Sequence, residues 1–163
     1  MELKGLMQIG IIVTDVEQSV KAYEAMGIGP WEINVMDTTI PPFTDLTLNQ
    51  ETLPAGPIIK TAMFNGFGTE IELIEPISDS VYKQWLEQHG PGLHHLAFDI
   101  DGQYEEVLAT EGKVWVRGQA IHGLMDYAYL DKREDLGLII ECYKQLQPDK
   151  PILTKDFKGE LRS

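Results

Sequence analysis

The chain has 163 residues, 43% of them apolar, which suits one compact globular domain and excludes a disordered protein. Its formal net charge of −13 would repel nucleic acid and anionic membrane surfaces, so we expect neither as a partner. The sequence has no apolar run of about 18 residues, no signal-peptide pattern at its start and no second cysteine beside Cys142, which predicts a cytoplasmic protein without membrane spans or internal disulfides.

The first half of the sequence opens on a strand and a helix. Residues 8–15 are rich in β-branched side chains and place Ile9, Ile11 and Val13 on one face of a strand. An N-capping aspartate then predicts a helix over 16–26. Alternating apolar residues and turn residues predict the other elements of this half: strands 31–36, 58–64 and 69–74, and helix 78–89. A long Pro-rich loop at 37–57 lies between the first two of these strands.

The same pattern begins again in the second half. A strand at 93–100 is followed by a helix at 101–111, capped by its first residue, and by three strands at 113–121, 124–130 and 138–143. The order strand, helix and three strands, found twice, predicts an α+β fold in which two βαβββ modules form a curved mixed sheet around a cleft. Together they make one domain, divided as a first module at 1–90, a second module at 91–146 and a polar tail at 147–163.

Four polar residues fall at equivalent positions of the two halves. When the opening strands are superposed on their apolar residues, Gln8 falls on His95, and the closing strands place Glu72 on Glu141. Because side chains alternate along a strand, apolar neighbours that pack under the helices put these four residues on the opposite, concave face. His94 is then expected to lie on the face opposite to His95 and to have a structural role. If both concave faces line one cleft, the four polar side chains meet there.

This group of side chains has the chemistry of a metal site. Two carboxylates, an imidazole and an amide oxygen suit one divalent ion such as Zn²⁺, Co²⁺, Ni²⁺ or Mn²⁺. Four protein ligands leave open positions for a substrate with two adjacent oxygens. Taken alone, each residue has a plainer interpretation as a solvated or hydrogen-bonded strand residue, and only the joint placement favours a metal. Two other polar residues are interpreted as ordinary, Glu70 as a charge at the rim and His122 as a solvated turn residue.

Three segments of the sequence resemble the vicinal oxygen chelate superfamily, which includes glyoxalase, bleomycin resistance and dioxygenase proteins. They are residues 8–15, 72–76 and 85–98, and the last, with a helix, a glycine turn and a double histidine, is typical of methylmalonyl-CoA epimerases. The resemblance extends over about residues 7–143. It implies that His95 is a metal ligand, that Glu141 is the last ligand and lies where the family places a catalytic base, and that the protein is a homodimer.

The resemblance implies an isomerase that acts by enolisation of a metal-chelated acyl-CoA. Glu141 would take the α-proton, and Glu72, Glu70 or a water molecule would return one to the other face. The strand at 58–64 has no acid at the place where some epimerases have a second base. Which group returns the proton, which metal is bound and which acyl group is used are left open.

Two alternatives remain beside the epimerase-like enzyme. One is a glyoxalase I-like lyase acting on another chelating substrate, because Gln8 stands where epimerases usually have histidine and is similar to glyoxalase I. The positions that hold glutathione in glyoxalase I, however, carry Ile12 and Pro76 here. The other alternative is a non-enzymatic small-molecule binding protein of the same fold.

Overall fold

A computed structural model describes residues 3–37, 44–52, 57–100, 103–111, 113–120 and 125–145. The turn at His122, the tail at 147–163 and part of the loop at 37–57 lie outside these ranges. The helix predicted to be capped by Asp101 has Gln103 as its N-cap instead, without a capping hydrogen bond from the side chain. The described residues form β1 (Gly5–Ile12), α1 (Val16–Ala25), β2 (Glu32–Asp37), β3 (Thr44–Leu48), β4 (Glu51–Thr52), β5 (Ile58–Gly66), β6 (Thr69–Pro76), α2 (Val81–His89), β7 (Gly92–Asp99), α3 (Tyr104–Thr110), β8 (Val114–Ala120), β9 (Met125–Lys132), α4 (Arg133–Leu136) and β10 (Leu138–Gln145).

All the described strands belong to one mixed sheet, in the order β2-β5-β6-β1-β7-β10-β9-β8-β3-β4. At its centre β1 and β7 are antiparallel, while β1 pairs with β6 and β7 pairs with β10 in parallel. On either side of this central pair the strands follow the same order, so that β6, β5 and β2 correspond to β10, β9 and β8. The predicted fold class, an α+β fold of two βαβββ modules, is confirmed. The division of the chain between residues 90 and 91 stays a prediction.

The prediction of a loop over 37–57 is wrong in part, because the segment contains β3 and β4. Strand β3 pairs with β8, Leu48 lying opposite Val116, so an insertion of the first half extends the sheet of the second. The turn between the two strands places Asn49 and Gln50 at positive φ angles of 50° and 69°. The amide of Asn49 donates to the carbonyl oxygen of Trp115 at 2.8 Å. Such short strands show little alternation, and their partner lies far along the chain.

Each helix packs where the apolar pattern predicts. Asp15 caps α1 by accepting a hydrogen bond from the amide of Gln18 at 2.8 Å. The predicted apolar faces are confirmed for the residues that pack with the helices: Ile11, Val13, Ile71 and Leu73 with α1, and Phe98, Ile100, Ile140 and Cys142 with α3. Ile9 and Leu96, predicted on the same faces, are half-buried and belong to neither cluster. None of the helices in the described part of the chain is long and apolar enough to cross a bilayer.

The opposite, concave face of the sheet has its own apolar cluster. Ile12, Ile74, Tyr82, Tyr129 and Ile139 are buried there, and side chains of α2 pack against them. Helix α2 begins after Ser80, whose hydroxyl accepts a hydrogen bond from the third amide of the helix. The helix connects the two halves and covers part of the concave face, beside the polar residues of the predicted site.

Candidate metal centre

The structure brings the four predicted ligands together on the concave face. The Nε2 atom of His95 lies 3.0 Å from Oε2 of Glu141, 3.1 Å from Oε1 of Gln8 and 3.6 Å from Oε2 of Glu72. All four residues are buried, with exposed fractions of 7% for Gln8, 8% for Glu72, 0% for His95 and 4% for Glu141. Three oxygen atoms thus converge on one imidazole nitrogen out of bulk water.

The sheet topology explains why residues so far apart in sequence meet. Gln8, Glu72, His95 and Glu141 lie on β1, β6, β7 and β10, which are the four adjacent strands at the centre of the sheet. The parallel pairs place each glutamate strand beside the strand that carries its partner ligand. The antiparallel pairing of β1 with β7 then joins the two halves of the site, with Gly10 opposite His95.

Gly10 makes room for the imidazole ring. A Cβ atom at this position would overlap the ring of His95, which lies directly across the backbone of β1. Glycine inside a strand weakens the sheet and commonly marks a close approach of other atoms. The glycine inside the predicted strand is visible in the sequence, but the imidazole ring that approaches it comes from His95, in the other half of the chain.

Burial and neighbouring charges shift the pKa values of the titratable groups in the site. Burial raises the pKa of Glu72 to about 8, and Glu141 and Glu70 add to this rise while His95 opposes it. Burial lowers the pKa of His95, but the carboxylates of Glu141 and Glu72 outweigh it and the net shift is upward. Among the described residues, His95 is the one basic side chain that pairs with Glu72 or Glu141. Two carboxylates, an imidazole nitrogen and an amide oxygen are donor types that a divalent ion accepts.

Tyr143 contacts two of the four residues and was missed by the sequence analysis. Its single hydroxyl hydrogen is shared between two acceptors, Oε2 of Glu141 at 2.9 Å and Oε1 of Gln8 at 3.1 Å. Burial raises the pKa of this phenol well above its ordinary value, so the hydroxyl remains a donor. The alternation that placed Glu141 on the concave face also places Tyr143 there, two residues later on β10, and could have found it.

Glu70 is half-buried at the edge of the site and contacts one of its ligands. Oε1 of Glu70 accepts a hydrogen bond of 2.6 Å from Nε2 of Gln8, and Oε2 accepts one of 3.1 Å from Nδ2 of Asn65. The parallel register of β1 and β6 places Gln8 beside Glu70. The carboxylate therefore belongs to the environment of the site.

The prediction that His94 has the opposite face is wrong. The pairing passes from Gly10 opposite His95 to Ile11 opposite Leu93, so His94 is the extra residue of a β-bulge. Its ring lies on the concave side with centroids 5.4 Å from those of Tyr82 and Trp85 and 5.8 Å from that of Tyr129, and its Nδ1 is 3.0 Å from Nδ1 of His95. Burial, with help from His95, lowers the pKa of His94 to about 2, so the ring is neutral.

A second group of acids lies at the start of α1 and serves the helix. Asp15 caps it, a carboxylate oxygen of Glu75 accepts a 2.8 Å hydrogen bond from the amide of Val16, and Glu17 pairs with Lys60 at 2.6 Å. Each of these carboxylates already has a partner, and Asp15 and Glu17 are exposed. Asp15 and Glu17 differ in their exposure from Glu72 and Glu141, which are buried on the concave face.

Comparison with known proteins gives matches over most of the chain. A model of the glyoxalase/bleomycin resistance protein/dioxygenase superfamily matches residues 7–129. The uncharacterised protein YqjC of Bacillus subtilis strain 168 is 29% identical over 105 residues, which are 58% of this chain and 70% of YqjC.

Similar solved structures include methylmalonyl-CoA epimerases. A variant of the Streptomyces coelicolor enzyme in complex with 2-nitronate-propionyl-CoA is 20% identical with a TM-score of 0.63, over 92% of this chain and all (100%) of the other. An epimerase in complex with methylmalonyl-CoA and NH4+ is 21% identical with a TM-score of 0.62, over the same shares of 92% and 100%. The Mycobacterium tuberculosis enzyme is 18% identical with a TM-score of 0.61, over 88% of this chain and 89% of the other. At these identities the structures support the fold, and the chemistry has to be argued from the site.

Proposed function

Because the chain belongs to the glyoxalase/bleomycin resistance protein/dioxygenase superfamily, we propose that it is a divalent-metal-dependent isomerase acting by enolisation of a chelated acyl-CoA. The observation that carries this proposal is the convergence of Gln8, Glu72 and Glu141 oxygens on Nε2 of His95. The four residues would hold one ion of Zn, Co, Ni or Mn, all of which accept mixed oxygen and imidazole ligands. When bound, the ion would act as a Lewis acid that polarises a substrate carbonyl and stabilises the negative charge left by the α-proton.

In this proposal Glu141 accepts the α-proton. A carboxylate has two oxygens, so one can serve as a ligand while the other takes a proton. The hydroxyl of Tyr143 donates to Oε2 of Glu141 and restricts its orientation. The proton returns to the opposite face of the substrate from Glu72 or from water.

The substrate class is proposed from the solved relatives, which are described in complex with methylmalonyl-CoA and with 2-nitronate-propionyl-CoA. We extend the acyl-CoA class to this chain as a proposal, together with a homodimeric assembly and a cytoplasmic location. A glyoxalase I-like lyase is the second candidate, because the first ligand is the amide of Gln8. That lyase also moves a proton next to a chelated carbonyl, so the same side chains would serve it.

The test combines metal analysis with proton exchange. Purified protein should contain about one divalent ion per chain, and adding metal should raise the melting temperature of metal-stripped protein. In deuterium oxide the wild type should exchange the α-proton of methylmalonyl-CoA, and the Glu141→Gln variant should lose exchange while it still binds metal. Glu87→Gln, at an exposed position of α2, is the matched control and should exchange normally.

The possible outcomes separate the candidates. Turnover of the methylglyoxal–glutathione adduct without exchange of methylmalonyl-CoA would favour the lyase. Protein that neither contains metal nor gains stability from it would favour a non-enzymatic binding protein. Undiminished exchange in Glu141→Gln would reject Glu141 as the base.

A further inference from the structure

We propose that Glu70 is a positioning residue, which holds the amide of Gln8 so that its oxygen, and not its nitrogen, faces the metal. The inference rests on the proposed function, since it assumes a metal at His95. It assigns to Glu70 a task that neither the family match nor the four-ligand set contains.

The two ends of the Gln8 amide differ in what they can bind. Its Oε1 and Nε2 have nearly the same shape, but only the oxygen has lone pairs to offer a metal. In the structure Oε1 is the end beside Nε2 of His95, at 3.1 Å, and Nε2 donates to Oε1 of Glu70 at 2.6 Å. An ionised carboxylate accepts and never donates, so it pairs with the nitrogen end alone. Glu70 therefore selects one of the two amide orientations.

Glu70 is itself fixed in place. The parallel register of β1 and β6 sets Gln8 and Glu70 side by side, and Asn65 donates to Oε2 of Glu70 at 3.1 Å. Both carboxylate oxygens thus have amide donors. On the other side of Gln8, Tyr143 donates to the oxygen end at 3.1 Å. The amide lies between an acceptor at its nitrogen and a donor at its oxygen, and both favour the ligating orientation.

Positioning and charge have to be separated by experiment, because a carboxylate near a metal also attracts it. Glu70→Ala removes both the acceptor and the charge. Glu70→Gln removes the charge and keeps an oxygen that can accept from Gln8, but its amide nitrogen can also donate to the Gln8 oxygen, so it selects the orientation less strictly than a carboxylate does. Glu87→Gln, exposed on α2, controls for the loss of one negative charge elsewhere. The dissociation constant of Zn²⁺ is measured by chelator competition for each variant of the full chain, and urea unfolding of metal-stripped protein checks that each one folds.

If Glu70 acts by positioning, Glu70→Ala should weaken Zn²⁺ binding by about 10- to 100-fold, as expected for the loss of a partner that orients a ligand. Glu87→Gln should bind like the wild type, and Glu70→Gln should bind Zn²⁺ more tightly than Glu70→Ala because it can still accept from Gln8. Adding Gln8→Glu to Glu70→Ala should restore tight binding, because both ends of a carboxylate are oxygens and no orientation needs to be selected. In the Co²⁺-loaded protein, the visible absorption bands should change in Glu70→Ala and return in the double variant.

Two results would overturn the inference. Glu70→Gln binding as weakly as Glu70→Ala would mean that Glu70 acts through its charge alone. Unchanged binding in Glu70→Ala would mean that it does not act on Gln8. In either case the wild type still binds Zn²⁺ and the proposed function survives, whereas a wild type that binds no metal would overturn both.

Discussion

The two halves of the site share a backbone plan and differ in what surrounds the ligands. Gln8 and Glu72 of the first half lie near another carboxylate, Glu70, which also lines a shallow, open groove with Asn65 and Thr69. His95 and Glu141 of the second half lie among aromatic rings, with neutral donors nearby: Tyr82, Tyr129, Tyr143 and His94.

This difference shows what a structural repeat determines. Equivalent positions on equivalent strands direct side chains toward one point, because alternation and pairing are properties of the backbone. The environment of each ligand comes from side chains that the repeat does not constrain. One half therefore concentrates negative charge beside its ligands, and the other holds its ligands with packed rings and a hydroxyl. The following predictions test each half against the other.

The largest effect on metal binding and stability is expected at Gly10, where the first half lies against His95 of the second. Gly10→Ala should displace the His95 ring, abolish metal binding and lower the free energy of unfolding by about 1–3 kcal/mol, the usual range for overpacking. Gly5→Ala lies on the same strand, and a Cβ there would have no atom within 4 Å, so it should behave like the wild type. Urea unfolding and Zn²⁺ titration of both variants provide the measurement. A Gly10→Ala protein with normal metal affinity would contradict the contact between the halves.

The buried carboxyl group of Glu72, in the first half, should make the stability of metal-free protein depend on pH. Burial raises the pKa of Glu72 from 4.5 to about 8, so the folded state holds this proton more tightly than the unfolded state. The resulting stability is complete below pH 4.5 and is lost as pH rises to about 8. In the presence of a chelator, the free energy of unfolding of Glu72→Gln should fall less over this interval than that of the wild type.

Urea unfolding at a series of pH values measures this difference. Glu87→Gln, exposed on α2, should keep the wild-type slope. Equal slopes for Glu72→Gln and the wild type would show that burial of Glu72 does not control the pH dependence.

A moderate effect on metal binding is expected from removing the Tyr143 hydroxyl, in the second half. Tyr143→Phe removes the donor to Glu141 and Gln8, and should weaken Zn²⁺ binding by about tenfold, the low end for loss of a group that orients a ligand. Tyr127 lies opposite Tyr143 on β9, and its hydroxyl bonds to neither ligand, so Tyr127→Phe is the matched control. The idea fails if the two variants bind Zn²⁺ equally well.

The smallest chemical effect is expected at Cys142, next to Glu141 but on the α3 side of the sheet. The residue is fully buried, at 0% exposure, and burial raises the pKa of its thiol to about 12. Native protein should react with a thiol reagent only as fast as it unfolds, and bound metal should slow the reaction further. Rapid labelling of native protein would show that β10 opens locally, and would weaken the description of the second half as closely packed.

Much of the fold could be predicted because its signals are local. Alternating residues identified the strands, Asp15 and Ser80 mark helix starts, and the repeated order of elements predicted two equivalent modules. The four candidate ligands followed from the same alternation, since a period of two assigns each strand residue to one face. The metal itself stays a prediction that the titrations above address.

The remaining features depend on which strands become neighbours. The pairing of β3 with β8, the bulge at His94 and the ring of His95 across Gly10 join residues from different halves of the chain. The contact of Glu70 with Gln8 likewise exists only once β1 lies beside β6. The sequence alone determined the face of the four candidate ligands, because regular alternation depends on the strand itself. Only the tertiary structure decided what each side chain meets there, because contacts arise between strands and not along them.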